Sequence, residues 1–158
     1  MAKIYLAGGL FNAAERLHNL FLEKYLKELG HDVILPQREA LKFFDNDHFD
    51  LDGIVENCRQ ASTDSQNIYV GNIDGADADS GTGIEYGMAI MATGRAIVYR
   101  TDLRTAEEKE VGINTMFKSK GSVLIYYPCY FTELEQVEAY YEDLARKIND
   151  VILTVVKS

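Results

Sequence analysis

Residues 74–87 read DGADADSGTGIEYG: three aspartates, a cluster of small residues and one glutamate ahead of an apolar run. Glycine-rich turns that open a helix usually cradle phosphate, but Asp74, Asp77 and Asp79 would repel an anion. Gly81, Gly83 and Gly87 form GxGxxxG, one residue longer than the dinucleotide fingerprint, and the GK[ST] ending of a P-loop is absent. A calcium loop fits at its first and twelfth positions, Asp74 and Glu85. It fails in between, where Ala76, Ala78 and Asp79 occupy its third, fifth and glycine positions. Two readings survive. In one, the aspartates only cap a helix, with Asp79 or Ser80 at the N-cap. In the other, Glu85 does chemistry. A helix starting near Gly81 places Glu85 about one turn inside a mostly apolar segment (Ile84, Tyr86, Met88, Ala89, Ile90, Met91), with small residues at 81–83 leaving space before its carboxylate. The nearby helix N-terminus would help keep that carboxylate ionised. An ionised carboxylate on an open crevice suits attack on a sugar carbon. Asp79 suits a sugar hydroxyl, which needs an acceptor rather than a cation.

Such a pair must be held by a scaffold, and the chain supplies one in near-regular alternation. Strand-like runs fall at Lys3–Ala7, Asp32–Leu35, Asn67–Ile73, Ala96–Tyr99 and Ser122–Tyr126. Helical spacing falls at Phe11–Leu29 (stopped by Gly30), Leu51–Ser62 and Ile84–Thr93 (stopped by Gly94). Residues 39–50 read as a loop or short helix. Thr132 and Glu135 suggest a capping box for a last helix to about Asn149. The tail VILTVV reads as one more strand or a docking segment. This alternation predicts a single α/β domain over residues 1–158, flavodoxin- or Rossmann-like, with a parallel five-stranded sheet and helices on both faces. Ligands in such folds sit outside the carboxyl ends of the strands, so the loops opening at Gly8, Pro36, Asp74 and Arg100 are the ones to watch.

Composition narrows the partners. The chain has 158 residues and a net charge of −9, with an isoelectric point near 4.8. A nucleic-acid backbone or an anionic membrane needs a basic face, so both are excluded as partners. Cys58 and Cys129 lie far apart with no metal-binding spacing, consistent with free thiols in a reducing cytoplasm. The N-terminal run is too short for a signal peptide, and no segment approaches the ~20 apolar residues of a membrane span. The expectation is a soluble cytoplasmic protein.

The segment DGADADSGTGIEYG resembles the catalytic stretch of the nucleoside 2-deoxyribosyltransferases, whose pattern runs Asp-Gly, Asp-x-Gly-Thr, Glu-x-Gly. KIYLAGGLF resembles the first strand and turn of that family, and GINTM its short Asn-x-Met segment. The resemblance spans residue 3 to about 127. It implies Glu85 as nucleophile, oriented by Tyr5. It further implies Asp79 on a deoxyribose hydroxyl with Gly81 beside it, and Phe11 and Met116 lining the base pocket. Asn114 would come from an adjacent subunit, making the protein a homo-oligomer with a shared site. The family also places an aspartate on the helix before the third strand to handle the proton of the leaving base. Asp50 is favoured here over Asp64, although it lies farther upstream than the pattern expects. In LPQRE, Gln37 or Arg38 would stand near the base. The implied substrates are 2′-deoxyribonucleosides and free purine or pyrimidine bases, with no cofactor and no metal. Two alternatives stay open: a 2′-deoxynucleoside 5′-monophosphate N-glycosidase, and a non-catalytic nucleoside-sensing domain. The first needs a phosphate pocket, and the loop GGLFNAAER offers only Arg16.

Overall fold

Residues 1–104 and 113–155 are described by the structure, a computed structural model. Gly112 of GINTM and Val156 of the tail lie outside these residues. In chain order the elements are β1 (Lys3–Ala7), α1 (Ala13–Glu28), β2 (Asp32–Ile34), α2 (Pro36–Glu39), β3 (Phe44–Asp45), β4 (His48–Phe49), α3 (Leu51–Thr63), β5 (Asn67–Asn72), α4 (Ser80–Thr93), β6 (Ala96–Arg100), β7 (Ser122–Tyr126) and α5 (Val137–Val155). Short 3₁₀ turns stand at Ala40–Phe43, Thr115–Lys118 and Leu134–Gln136.

Five strands form one sheet in the order β2-β1-β5-β6-β7, every pair parallel. The chain runs outward from β1 to β2, then returns to the other side of β1 at β5. The direction of winding therefore reverses between β1 and β5, and the loops leaving their carboxyl ends part to form a crevice.

Strand pleating sorts the core. Ile4 and Leu6 of β1 face one side, against Leu22 and Leu26 of α1 and Leu144 and Ile148 of α5. Tyr5 and Ala7 face the other side, in the cluster that holds Tyr86 and Ala89 of α4. Alternation along β1 thus delivers Tyr5 to the helix that carries Glu85.

Three local readings differ from the sequence-based expectation. Residues 39–50 hold a two-residue hairpin, β3–β4, after the helical turns; Asn46 and Asp47 take positive φ (47° and 60°), which these two residue types tolerate in a tight hairpin turn. The capping box is Glu133 with Gln136, one residue beyond Thr132 and Glu135, because both side chains close reciprocally there. Finally, residues 151–155 are neither strand nor separate segment but the last turn and more of α5, with Ile152 buried in the α1/α5 core. Among the described residues, no helix is long and apolar enough to cross a membrane.

Candidate active site

The crevice is walled by the β1–α1 loop on one side and the β5–α4 loop on the other. Asn12 caps α1 by accepting from the Ala14 and Glu15 amides. Asp79 caps α4: its Oδ2 accepts from the Thr82 amide (2.8 Å) and the Thr82 hydroxyl (3.0 Å). Gly75 turns the β5–α4 loop with φ +108°, and a Cβ there would lie 2.7 Å from the Asp77 carbonyl oxygen. Asp74, which the sequence left without a role, braces that loop against β6. Its carboxylate accepts from the Thr101 amide and hydroxyl, the Asp102 amide (2.9 Å) and Asn72 Nδ2 (3.0 Å).

Glu85 sits on the second turn of α4, half-buried over a layer of tyrosines. The Tyr5 hydroxyl donates to Glu85 Oε1 at 2.9 Å. Tyr69 donates to the Thr82 carbonyl (2.8 Å) and so fixes the first turn of the helix. Burial pushes the Glu85 carboxyl up to about 7. The Tyr5 hydroxyl and the Cys58 thiol beside it counter the rise, and the nearby Asp79 charge adds to it. The expected help from the helix N-terminus is outweighed: its field fades beyond the first turn, while desolvation of the carboxylate does not. Burial likewise pushes the Tyr5 hydroxyl and the Cys58 thiol up, so both stay protonated donors at neutral pH.

Two cavities meet at Asp79. The larger, about 520 Å³, reaches Glu85 and is walled by Phe11, Pro36, Phe49, Leu51 and Ile54, with Gly81 and Thr82 at its floor and Arg16 and Cys58 on its sides. The smaller, about 280 Å³, is lined by Glu15, His18, Asn72, Asp74 and Asp79 and by no lysine or arginine. Glu15 Oε2 accepts from the Phe11 amide (2.8 Å). His18 is hydrogen-bonded to the Tyr99 and Tyr141 hydroxyls, and burial lowers its pKa, with Asp74 opposing. The second cavity is thus acceptor-rich and offers no cation.

Of the residues singled out by sequence, Glu85, Tyr5, Asp79, Gly81 and Phe11 are brought together here. Gln37 is not on the cavity wall: it is buried between α1 and α2, accepting from Asn19 and donating to the Arg16 carbonyl. Arg38 pairs with Glu23. Asp50 lies at the correct edge of the sheet, but its carboxylate caps α3 by accepting from the Gly53 amide (3.0 Å). Asp64 ends α3 at the opposite edge, next to the start of β5, and accepts from the Gln66 amide. Asn114 caps the 115–118 turn by accepting from the Met116 amide, and Met116 is exposed; neither lines the large cavity of its own chain.

Cys58, read from sequence only as a free thiol, and Arg16, weighed only as a phosphate ligand, also line the larger cavity. Leu51, Ile54 and Cys58 share one face of α3 at spacings of three and four, and that phase carries the thiol to the cavity. Arg16 was read as lying inside a helix. It is in the first turn of α1, where its side chain turns back and Nη1 donates to the Leu10 carbonyl (3.2 Å).

The Glu85 carboxylate with its Tyr5 hydroxyl donor thus stands at the switch point of a doubly wound α/β domain. Residues 4–116 match the nucleoside 2-deoxyribosyltransferase family, and the chain belongs to that family. Among solved structures it is similar to a 2-deoxyribosyltransferase from Bacillus psychrosaccharolyticus (26% identity, 87% of this chain and 90% of that one, TM-score 0.56). It shares its fold with a conserved protein from Enterococcus faecalis (22%, 95% and 98%, TM-score 0.66). The same holds for the CMP N-glycosidase BcmB of Clostridium botulinum (16%, 93% and 97%, TM-score 0.58). No curated protein matches the sequence. Family membership places the protein among the enzymes of the nucleoside 2-deoxyribosyltransferase family, whose substrates are nucleosides.

Proposed function

We propose that the protein exchanges the base of 2′-deoxyribonucleosides through a covalent deoxyribosyl ester on Glu85. The observation that carries this reading is the Tyr5–Glu85 pair, 2.9 Å apart, between an apolar slot sized for a base and an acceptor-rich recess sized for a sugar. Glu85 Oε attacks C1′ as the C1′–N bond breaks, through a transition state with oxocarbenium character. The bond pair departs with the base, which takes a proton from a nearby acid or from water. A second base then attacks C1′ and frees Glu85, so configuration is retained and kinetics are ping-pong. Asp79 accepts from a deoxyribose hydroxyl with the oxygen not engaged by Thr82. Asn114 and Met116 complete the site of a neighbouring copy. Asp50, which caps α3 through one carboxylate oxygen, is the residue favoured to handle the proton of the leaving base. Water in place of the second base gives slow hydrolysis. This chemistry requires no metal or cofactor.

The acidic lining of the smaller cavity supports a free nucleoside over a 5′-monophosphate, since Glu15, Asp74 and Asp79 would face the phosphate with no cation among the lining residues. The test is to mix the protein with a deoxynucleoside and a different free base and to look for a new deoxynucleoside by chromatography. Absence of product across purine and pyrimidine donors ends the transferase reading. Glu85→Ala should lower exchange by roughly 10⁴-fold or more while ligand binding persists; unchanged exchange removes Glu85 from the mechanism. Mass spectrometry of the trapped enzyme should find a deoxyribosyl adduct on Glu85.

A further inference from the structure

The large cavity also says which bases it would hold. Its wall is mainly apolar, and its carboxylates, Asp79 and Glu85, each with one oxygen engaged, face the sugar in the proposed reaction, which leaves few polar side chains for the base. Thr82 donates its hydroxyl to Asp79, Asp79 receives Thr82 through two donors, and Glu85 receives Tyr5. Gln37 and Arg38, the two groups that sequence placed near the base, are turned to Asn19 and Glu23. What remains is Arg16. It is the only lysine or arginine among the cavity-lining residues, and the one hydrogen bond found for its guanidinium among the described residues runs from Nη1 to the Leu10 carbonyl. That bond fixes the group at the mouth of the β1–α1 loop, beside Phe11. A guanidinium is donor-only, always charged and planar, so it presents a fork of N–H groups to whatever lies in the slot.

We infer that Arg16 selects the base, favouring a base edge in which a carbonyl oxygen adjoins an unprotonated ring nitrogen. The inference rests on the reading of Glu85 as the group facing the anomeric carbon. Two adjacent acceptors take both arms of the fork, as O6 and N7 of a 6-oxopurine do, or O2 and N3 of cytosine. Adenine sets an N–H₂ donor beside N7, so one arm meets a donor. Thymine separates its two carbonyls by a protonated nitrogen, so only one arm is satisfied. An N–H arm set against another donor is the costly arrangement, and this makes the preference a rejection of the wrong base as much as an attraction to the right one.

The test compares kcat/KM for base exchange with deoxyinosine, deoxycytidine, deoxyadenosine and thymidine as donors, in the natural enzyme and in Arg16→Met, which keeps an apolar stem of similar length. The first two donors should be favoured by about 10-fold or more over the last two. In Arg16→Met the loss on deoxyinosine or deoxycytidine should exceed the loss on deoxyadenosine and thymidine by a similar factor. Preference for deoxyinosine alone assigns the purine edge, and preference for deoxycytidine alone the pyrimidine edge. Equal loss on all four donors, or a natural preference for deoxyadenosine or thymidine, overturns the inference. Calorimetric binding of free hypoxanthine, cytosine and adenine, with Arg16→Met confirmed as folded by circular dichroism, gives a readout that needs no turnover. If no donor is exchanged but hypoxanthine or cytosine still binds tighter than adenine in an Arg16-dependent way, the transferase reading falls and the recognition stands. If exchange proceeds without that order of preference, the transferase reading stands and the recognition falls.

Discussion

At the scale of single residues, Glu85 is a carboxylate placed where ionisation is costly and then partly relieved by two donors. Ionised Glu85 is the reactive form, so kcat/KM should rise with pH and level off above about 7. Tyr5→Phe removes the 2.9 Å donor to that form, so the rising limb should move to higher pH by roughly one unit, with a drop in kcat. Cys58→Ala should move the limb the same way by less, and Cys58→Ser, which restores a donor, should bring it back. An unmoved limb in both Tyr5→Phe and Cys58→Ala would mean that neither group supports the nucleophile. The same shift bears on stability. The folded carboxyl lies above its ordinary value of 4.5, so the folded state is favoured by protonation and loses that advantage as pH rises from about 4.5 through about 7. Glu85→Gln should therefore be more stable than the natural chain at pH 8, by roughly 1–3 kcal/mol, and no more stable at pH 4. Thermal melts at the two pH values check this.

At the scale of elements, the aspartates of the β5–α4 loop divide their labour. Asp74 holds the loop to β6 through four donors and does not need a substrate to explain it. Asp79 is both a helix cap and a cavity wall. Asp79→Asn keeps an acceptor for Thr82, so its stability should stay near that of the natural chain while KM for the deoxynucleoside rises. Asp79→Ala loses both functions and should also cost about 1 kcal/mol of stability. Denaturant titration beside steady-state kinetics separates the two. If Asp79→Asn leaves KM where it was, Asp79 is only a cap. The sequence alone left two readings of DGADADSGTGIEYG open; the cap is seen at Asp79, and the chemistry of Glu85 is what the proposed reaction puts to the test.

At the scale of the whole molecule, Asn114 and Met116 stand apart from the large cavity of their own chain, and the proposal has them finish the site of a second copy. Mixing Glu85→Ala with Asn114→Ala after dissociation and reassembly should restore exchange that neither variant shows alone. Failure to restore it, with subunit exchange verified by mass, would place Asn114 outside the catalytic assembly. The fold itself was largely legible. Five parallel strands and the helices between them follow from short β-branched runs alternating with amphipathic stretches, because burial on both faces leaves such runs nearly all apolar. The β3–β4 hairpin was not legible, since two-residue strands are too short for a period to register. The C-terminal helix was cut short for a related reason: VILTVV is rich in β-branched residues, and packing of Ile148 and Ile152 against α1 overrides that local preference.

By itself the sequence determined the α/β architecture and the position of the glycine turn, because strand pleating and helix phase are local properties that spacing records, whereas the Tyr5–Glu85 partnership was implied only by the family resemblance. Which side chains share the cavity was decided only by tertiary packing. Gln37 and Arg38 were drawn into internal hydrogen bonds, Asp50 into a helix cap and Asp64 to the far edge of the sheet, while Cys58 and Arg16 arrived from elements whose approach no spacing encodes. The physical reason is that a polar side chain goes to whichever partner satisfies it most completely in three dimensions, and those partners can lie far off in sequence, as Tyr5 lies eighty residues from Glu85.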